Sequence, residues 1–270
     1  NEGTLKLGAG GQISEKRLTI NNDATFNMNN QNQSLSALSS GSSSTNASVD
    51  LGSGTLTINN GAGASFAGVI SGTGSVVKNG AGTQILGTAN TYDGTTTVNG
   101  GTLELGFADT ENAGTITNDA TLRLNQATGA TATLNGLQGA GDFTKTGEGT
   151  AVLQTDGANP NAYNSLTVEQ GNLQADTPSL KDGVDSTVAT GDEGTFTLDI
   201  SGGNTIWNGT GQITGSGTLS VYDGPNNRTL TVDPSGPDNQ LTTNGVTLDL
   251  KSTATVDIDS RQTFGGLSGS

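Results

Sequence analysis

The stretch "KNGAGTQILGTANTYDGTTTVNGGTLELG" runs from Lys78 to Gly106. Its apolar residues stand singly or in pairs between Thr, Asn and Gly, and "TLEL" alternates polar with apolar. Period 2 with Thr, Val, Ile and Leu is the signature of a half-buried strand. Gly, Asn or Asp follows each short apolar group, and these residues accept turn conformations that others resist. The same pattern returns elsewhere as "TLKL", "TLTI", "TLRL", "FTLDI", "TLSV", "TLTV" and "VTLDL". No 11-residue window joins helical spacing to helix formers; the nearest, Ser34 to Ser40, is Ser-rich and ends at Gly41.

Such strands are too polar for a thick core. The 270 residues include 43 Gly, and charged residues are 13% and aromatics 4% of the total. So little apolar material places the chain near the compositional border of disorder. Disordered tracts, however, are rich in Pro, Glu and Lys, whereas this chain has 5 Pro and only 10 Lys plus Arg. The net charge of −15 argues against nucleic acid or an anionic membrane as partner, since both demand a cationic face. An acidic surface keeps a long β-rich chain soluble. With no Cys and no His, disulfides, thiolate nucleophiles and the commonest general base are excluded. No apolar run approaches the length of a transmembrane helix. The chain reads as an excised piece, with no signal peptide and no initiator Met.

Internal repeats carry the strongest signal. Gly72, Gly74, Lys78, Gly80, Gly82, Thr83 and Leu86 recur as Gly139, Gly141, Lys145, Gly147, Gly149, Thr150 and Leu153, all at an offset of 67. After a three-residue insertion, Val98, Gly101 and Leu103 recur as Val168, Gly171 and Leu173, while Tyr92 answers Tyr163. "EGTLKLG" (Glu2 to Gly8) matches "GGTLELG" (Gly100 to Gly106), and "INNDATFNMN" (Ile20 to Asn29) matches "ITNDATLRLN" (Ile116 to Asn125). Glycines fixed in register with apolar positions are not what a linker needs, so the repeats favour order. With no linker between them, residues 1–270 read as one continuous segment. Its modules fall at approximately 1–98, 99–169, 170–245 and 246–270, the last truncated.

A sandwich would need large inward side chains from two sheets, and this chain has 6 Phe, 3 Tyr and 1 Trp. A solenoid needs less. Each short strand points one or two apolar residues into a narrow interior and stacks on its equivalent one coil on, about 4.8 Å along the axis. At a nominal 22 to 25 residues per coil, the expectation is an all-β parallel solenoid of roughly 11 to 12 coils, with three to four coils per repeat.

"FAGVISGTGSVVKNGAGTQILGTANTYDGTTTVNGGTLELG" (Phe66 to Gly106) resembles the passenger-associated repeat of bacterial autotransporters, the type V secretion adhesins of the AIDA-like type. The copy from Asp142 to Ala175 keeps Lys145, Gly147, Gly149, Thr150, Leu153, Tyr163 and Val168, and departs at "DGANPNAY". The resemblance implies a right-handed, single-stranded parallel β-helix, secreted to the bacterial surface and held there by a C-terminal outer-membrane β-barrel outside this segment. It brings no catalytic residues.

Candidate chemistry is sparse. No His-based triad can form, and "GLSGS" (Gly266 to Ser270) is a copy of the module. A polysaccharide lyase or glycosidase would need paired carboxylates, for which Asp249, Asp257 and Asp259 near Lys251 and Arg261 are candidates; a solvated face explains them better. The acidic loop "KDGVDSTVATGDEG" offers Asp182, Asp185, Asp192 and Glu193 as weak ligands for Ca²⁺, and no other cofactor is implied. Trp207, the only Trp, is a weak candidate for sugar contact. Positions Phe66, Gly72, Gly74, Lys78, Gly82, Leu86, Tyr92 and Val98, with Gly139, Gly141, Lys145, Gly149, Leu153, Tyr163 and Val168, read as structural. The expectation is a non-enzymatic adhesive stalk whose partner is another copy of itself, side by side, or a host or matrix glycan or protein. The other readings are a polysaccharide-acting enzyme or a pure spacer.

Overall fold

In a computed structural model, the described residues are 3–41, 46–106, 110–111, 114–154 and 161–176, followed by the strands between 188 and 269. All regular structure among them is β, and the strand pairs are parallel. The chain winds through three faces in turn. The first stacks Thr4–Lys6, Thr25–Asn27, Ser48–Asp50, Val69–Gly72 and Thr91–Tyr92. The second stacks Lys16–Ile20, Gln33–Ser40, Leu56–Ile58, Val76–Lys78, Thr96–Val98, Ile116–Asn118 and Leu137–Gln138. The third begins Ala64–Phe66, Thr83–Leu86, Thr102–Leu105, Thr121–Asn125 and Asp142–Thr146. A further ladder of Thr110–Glu111, Thr131–Asn135 and Thr150–Gln154 takes up the first face's place in the winding order. Both lines meet the long strand Ser165–Asp176, which pairs in turn with Val188–Asp199.

Register gives the coil length directly. Thr102 stands over Thr83, a step of 19 residues, and Ser48 over Thr25, a step of 23. The second step lies within the expected 22 to 25 residues and the first falls below it. The solenoid makes about eight turns, fewer than the 11 to 12 expected; that expectation spread every residue over coils, whereas turns count only strands stacked in register.

Alternation decides what lies inside. Leu56 and Ile58, Val76 and Lys78, and Leu103 and Leu105 are buried, while the residues between them are half-exposed. One or two inward residues per strand fill the interior: Phe66, Ile70, Leu86, Val98, Leu122, Phe143, Leu153 and Val168 all have no exposed surface. Ser34 to Ser40, the nearest candidate for helix, is strand. Polar side chains also turn inward, and there they serve the backbone. Gln84 donates Nε2 to Leu38 O at 2.9 Å and takes the Leu38 N–H at 3.4 Å, holding both backbone polar groups of a residue two coils away. This satisfies buried groups that would otherwise cost about 1–3 kcal/mol each.

Candidate functional site

The repeated residues converge on a corner. Lys78 ends a second-face strand with its side chain inward, between Ile58 below and Val98 above. Its side chain has no exposed surface. Nζ donates to the carbonyls of Asn79 at 2.7 Å, Gly80 at 2.9 Å and, one coil up, Gly100 at 2.9 Å. An ammonium has three N–H donors, and three carbonyls take them. Lys145 repeats the arrangement between Leu124 and Val168, donating to Thr146 O at 2.6 Å, Gly147 O at 2.6 Å and Gln170 O at 3.2 Å. Burial pulls each lysine down to about 8. The carbonyls favour the ammonium and so oppose that pull.

The glycines explain the corner. Gly80 and Gly147 have φ of +74° and +71°, a left-handed conformation that Gly takes without strain. The same is true of Gly101 and Gly171, at +64° and +73°. Gly82 is held by space instead, because a Cβ there would stand 2.5 Å from Ala62 O.

Tyr92 is buried, and its hydroxyl lies 2.6 Å from Thr96 Oγ1; burial pushes it up to about 12. Tyr163 is buried as well. Two residues before each Tyr is an Asn that sequence reading had passed over. Asn90 Oδ1 accepts the Ile70 N–H at 2.9 Å, and Asn161 Oδ1 accepts the Leu137 N–H at 2.6 Å. Ile70 and Leu137 are themselves equivalent in the two copies. The signal was present, since Asn90 and Asn161 share the Tyr offset of 71.

The two copies do not lie on the same faces. Lys78 is on the second face and Lys145 on the third. Three ladder steps carry Thr83 through Thr102 and Thr121 to Asp142, yet by sequence Asp142 answers Ser75. The 67-residue offset is therefore three coils plus one face. Glycine corners, lysine cages and Asn caps work equally well on either face.

Outside, side chains form ladders of their own. Asn99 Nδ2 donates to Asn79 Oδ1 at 2.9 Å, Asn79 Nδ2 to Asn59 Oδ1 at 3.1 Å, and Asn59 Nδ2 to Ser34 Oγ at 2.9 Å. Thr19–Ser39, Thr25–Ser48 and Asn27–Asp50 pair in the same way. Arg123 forms an exposed ion pair with Glu169 at 3.5 Å.

Among the weak candidates, Asp192 and Glu193 lie in the strand Val188–Asp199 rather than a loop, with Glu193 in register with Gln170. Asp182 and Asp185 fall outside the described residues. Trp207 ends the strand Thr205–Trp207, opposite Val232; Asp249 and Asp257 are in strands opposite Ser220 and Thr231. Asp259 and Arg261 fall outside the described residues, while Lys251 ends the strand Thr243–Lys251. No group of three or more His, Cys, Asp or Glu that could hold a metal occurs among the described residues. No described helix is long and apolar enough to cross a membrane. A groove of about 570 Å³ near Gln12 to Lys16 and Gln33 is lined by one carboxylate, that of Glu15.

The model of the passenger-associated-transport-repeat matches residues 76–105 and 143–175. Each match starts at a lysine-bearing strand and runs past the corner, the buried Tyr and the next strand. Those two stretches are copies of the autotransporter passenger repeat. Such repeats imply a secreted, cell-surface domain. No curated protein and no solved structure matches the chain.

Proposed function

We propose that this passenger segment is a stiff, non-enzymatic stalk that displays adhesive surface in cell adhesion, autoaggregation or biofilm formation. A C-terminal outer-membrane β-barrel beyond the segment holds it at the cell. The observation that carries this reading is the direction of the shared residues. Lys78, Tyr92, Val98 and Leu103 and their counterparts Lys145, Tyr163, Val168 and Leu173 all point inward. What the repeat specifies is therefore a shaft, and the outward positions are left to differ. Continuous parallel ladders give a quasi-one-dimensional body whose stability accumulates coil by coil.

The outer surface is acidic. Of 10 Lys plus Arg in the chain, Lys78 and Lys145 are buried, so fewer cations remain to offset 25 Asp plus Glu. Side-by-side contact between copies is opposed at low salt and permitted when charge is screened. Clumping of cells displaying the full-length protein is measured against ionic strength. A rise with salt is expected; clumping that does not respond to salt would remove lateral self-association as the route. Incubation with acidic and neutral polysaccharides is expected to yield no unsaturated or reducing products, and their appearance would overturn the non-enzymatic reading.

A further inference from the structure

Four Asn-Gly pairs fall among the described residues up to Asp176: Asn60-Gly61, Asn79-Gly80, Asn99-Gly100 and Asn135-Gly136; a fifth, Asn244-Gly245, lies within the strand Thr243–Lys251. Asn-Gly is chemically exposed because Gly lets the backbone nitrogen reach the preceding side chain without steric hindrance. The fold treats the four differently. Asn60 is buried and donates Nδ2 to Ala62 O at 2.9 Å and Thr83 O at 2.8 Å. Asn79 is half-buried, with both ends of its carboxamide held in the asparagine ladder. At Asn135 the attacking nitrogen is engaged, since Gly136 N–H donates to Gln154 O at 3.0 Å.

Asn99 is the exposed end of the ladder. Its carboxamide makes one bond, the donation to Asn79, and among the described residues no protein acceptor takes the Gly100 N–H. From these differences we propose that Asn99-Gly100 is a site of spontaneous deamidation in the folded passenger. Gly100 N forms a bond to Asn99 Cγ, the Cγ–Nδ2 bond breaks, and Nδ2 leaves as ammonia. Water then opens the succinimide at either carbonyl, giving Asp or isoaspartate.

Position matters for the outcome. Conversion removes the donor to Asn79 and puts a carboxylate one coil below Asp119, whose N–H is bonded to Val98 O. The isoaspartate form adds a methylene to the backbone between strands Thr96–Val98 and Thr102–Leu105. In the second copy this corner reads Glu169-Gln170-Gly171, so the later repeat lacks the reactive pair.

The test is incubation of the folded protein at pH 9, followed by peptide mapping for the one-dalton gain and by isoaspartyl methyltransferase labelling. Asn99 is expected to convert about fivefold or more faster than Asn79, the factor that one further hydrogen bond sets. In urea the four pairs should converge. Asn99→Gln should abolish the first-formed product, and it keeps a ladder donor if Gly100→Ala disturbs the corner. Equal rates at the four pairs in the folded protein, or conversion led by Asn79 or Asn60, would overturn the assignment.

Discussion

Lys78 and Lys145 make the same three carbonyl bonds from two different faces of one solenoid. Each cage joins its own corner to the next coil, through Gly100 O in one copy and Gln170 O in the other. Replacing either lysine by Met keeps the apolar stem and orphans three carbonyls. Lys78→Met and Lys145→Met are each expected to cost about 2 kcal/mol in denaturant unfolding. More than three coils separate them, so the double variant should be additive within about 0.5 kcal/mol. An unchanged midpoint would show that the cost of burying the charge cancels the bonds made.

The same lysines set an alkaline pH dependence. Each releases its proton near pH 8 when folded and near 10.5 when unfolded. Between these values the unfolded chain binds more protons, so stability should rise with pH and level off as 10.5 is passed. Tyr92 acts oppositely: it ionises near 10 when unfolded and about 12 when folded, so stability should fall above 10. A thermal midpoint that climbs from pH 8 to about 10 in the native protein, and climbs less in Lys78→Met/Lys145→Met, is the expected result. A flat profile would mean that the carbonyl cages hold the ammonium as firmly as water does.

Asn90 and Asn161 supply a separate check on how inward polar groups work. Asn90→Ala leaves the Ile70 N–H buried without its acceptor, and Asn161→Ala does so for Leu137. Each is expected to lower stability by about 1–2 kcal/mol. Asn90→Asp keeps an acceptor oxygen, and its protonated O–H can replace the Nδ2 bond to Thr88 O at 3.1 Å; it should be milder than Ala at low pH and lose that advantage as the buried carboxyl ionises.

A deletion tests the equivalence of the faces. Removing residues 78–144 joins Val77 to Lys145 and takes out one repeat offset. The product should fold cooperatively and be shorter by about 16 Å, at about 4.8 Å per coil. Removing 79–144 instead leaves two lysines in tandem and shifts the following strand by one residue, which turns its alternation inside out. That variant should lose cooperative melting by circular dichroism; equal folding of the two would contradict an alternation-driven register.

The sequence made the strands, the turns and the inward role of the shared residues readable, because alternation and glycine placement are local. "TLEL" already shows which side of the strand is apolar. Coil length was not readable, since nothing in Thr83 states that its partner is Thr102. The lysine cage was half visible: recurrence marked Lys78 and Lys145, but a lone cation in a polar stretch does not announce that backbone carbonyls surround it. The Asn caps were missed because Asn is abundant throughout, so two more asparagines two residues before Tyr gave little contrast.

The mismatch between repeat and coil has a geometric consequence for the whole shaft. A unit that spans a whole number of coils would line up every copy's outer residues along one side and give the fibre a front and a back. Adding one face per copy instead advances them in azimuth, like the treads of a spiral stair. Chemistry carried by the repeat is then spread around the circumference, and a neighbouring surface can meet it from any direction of approach.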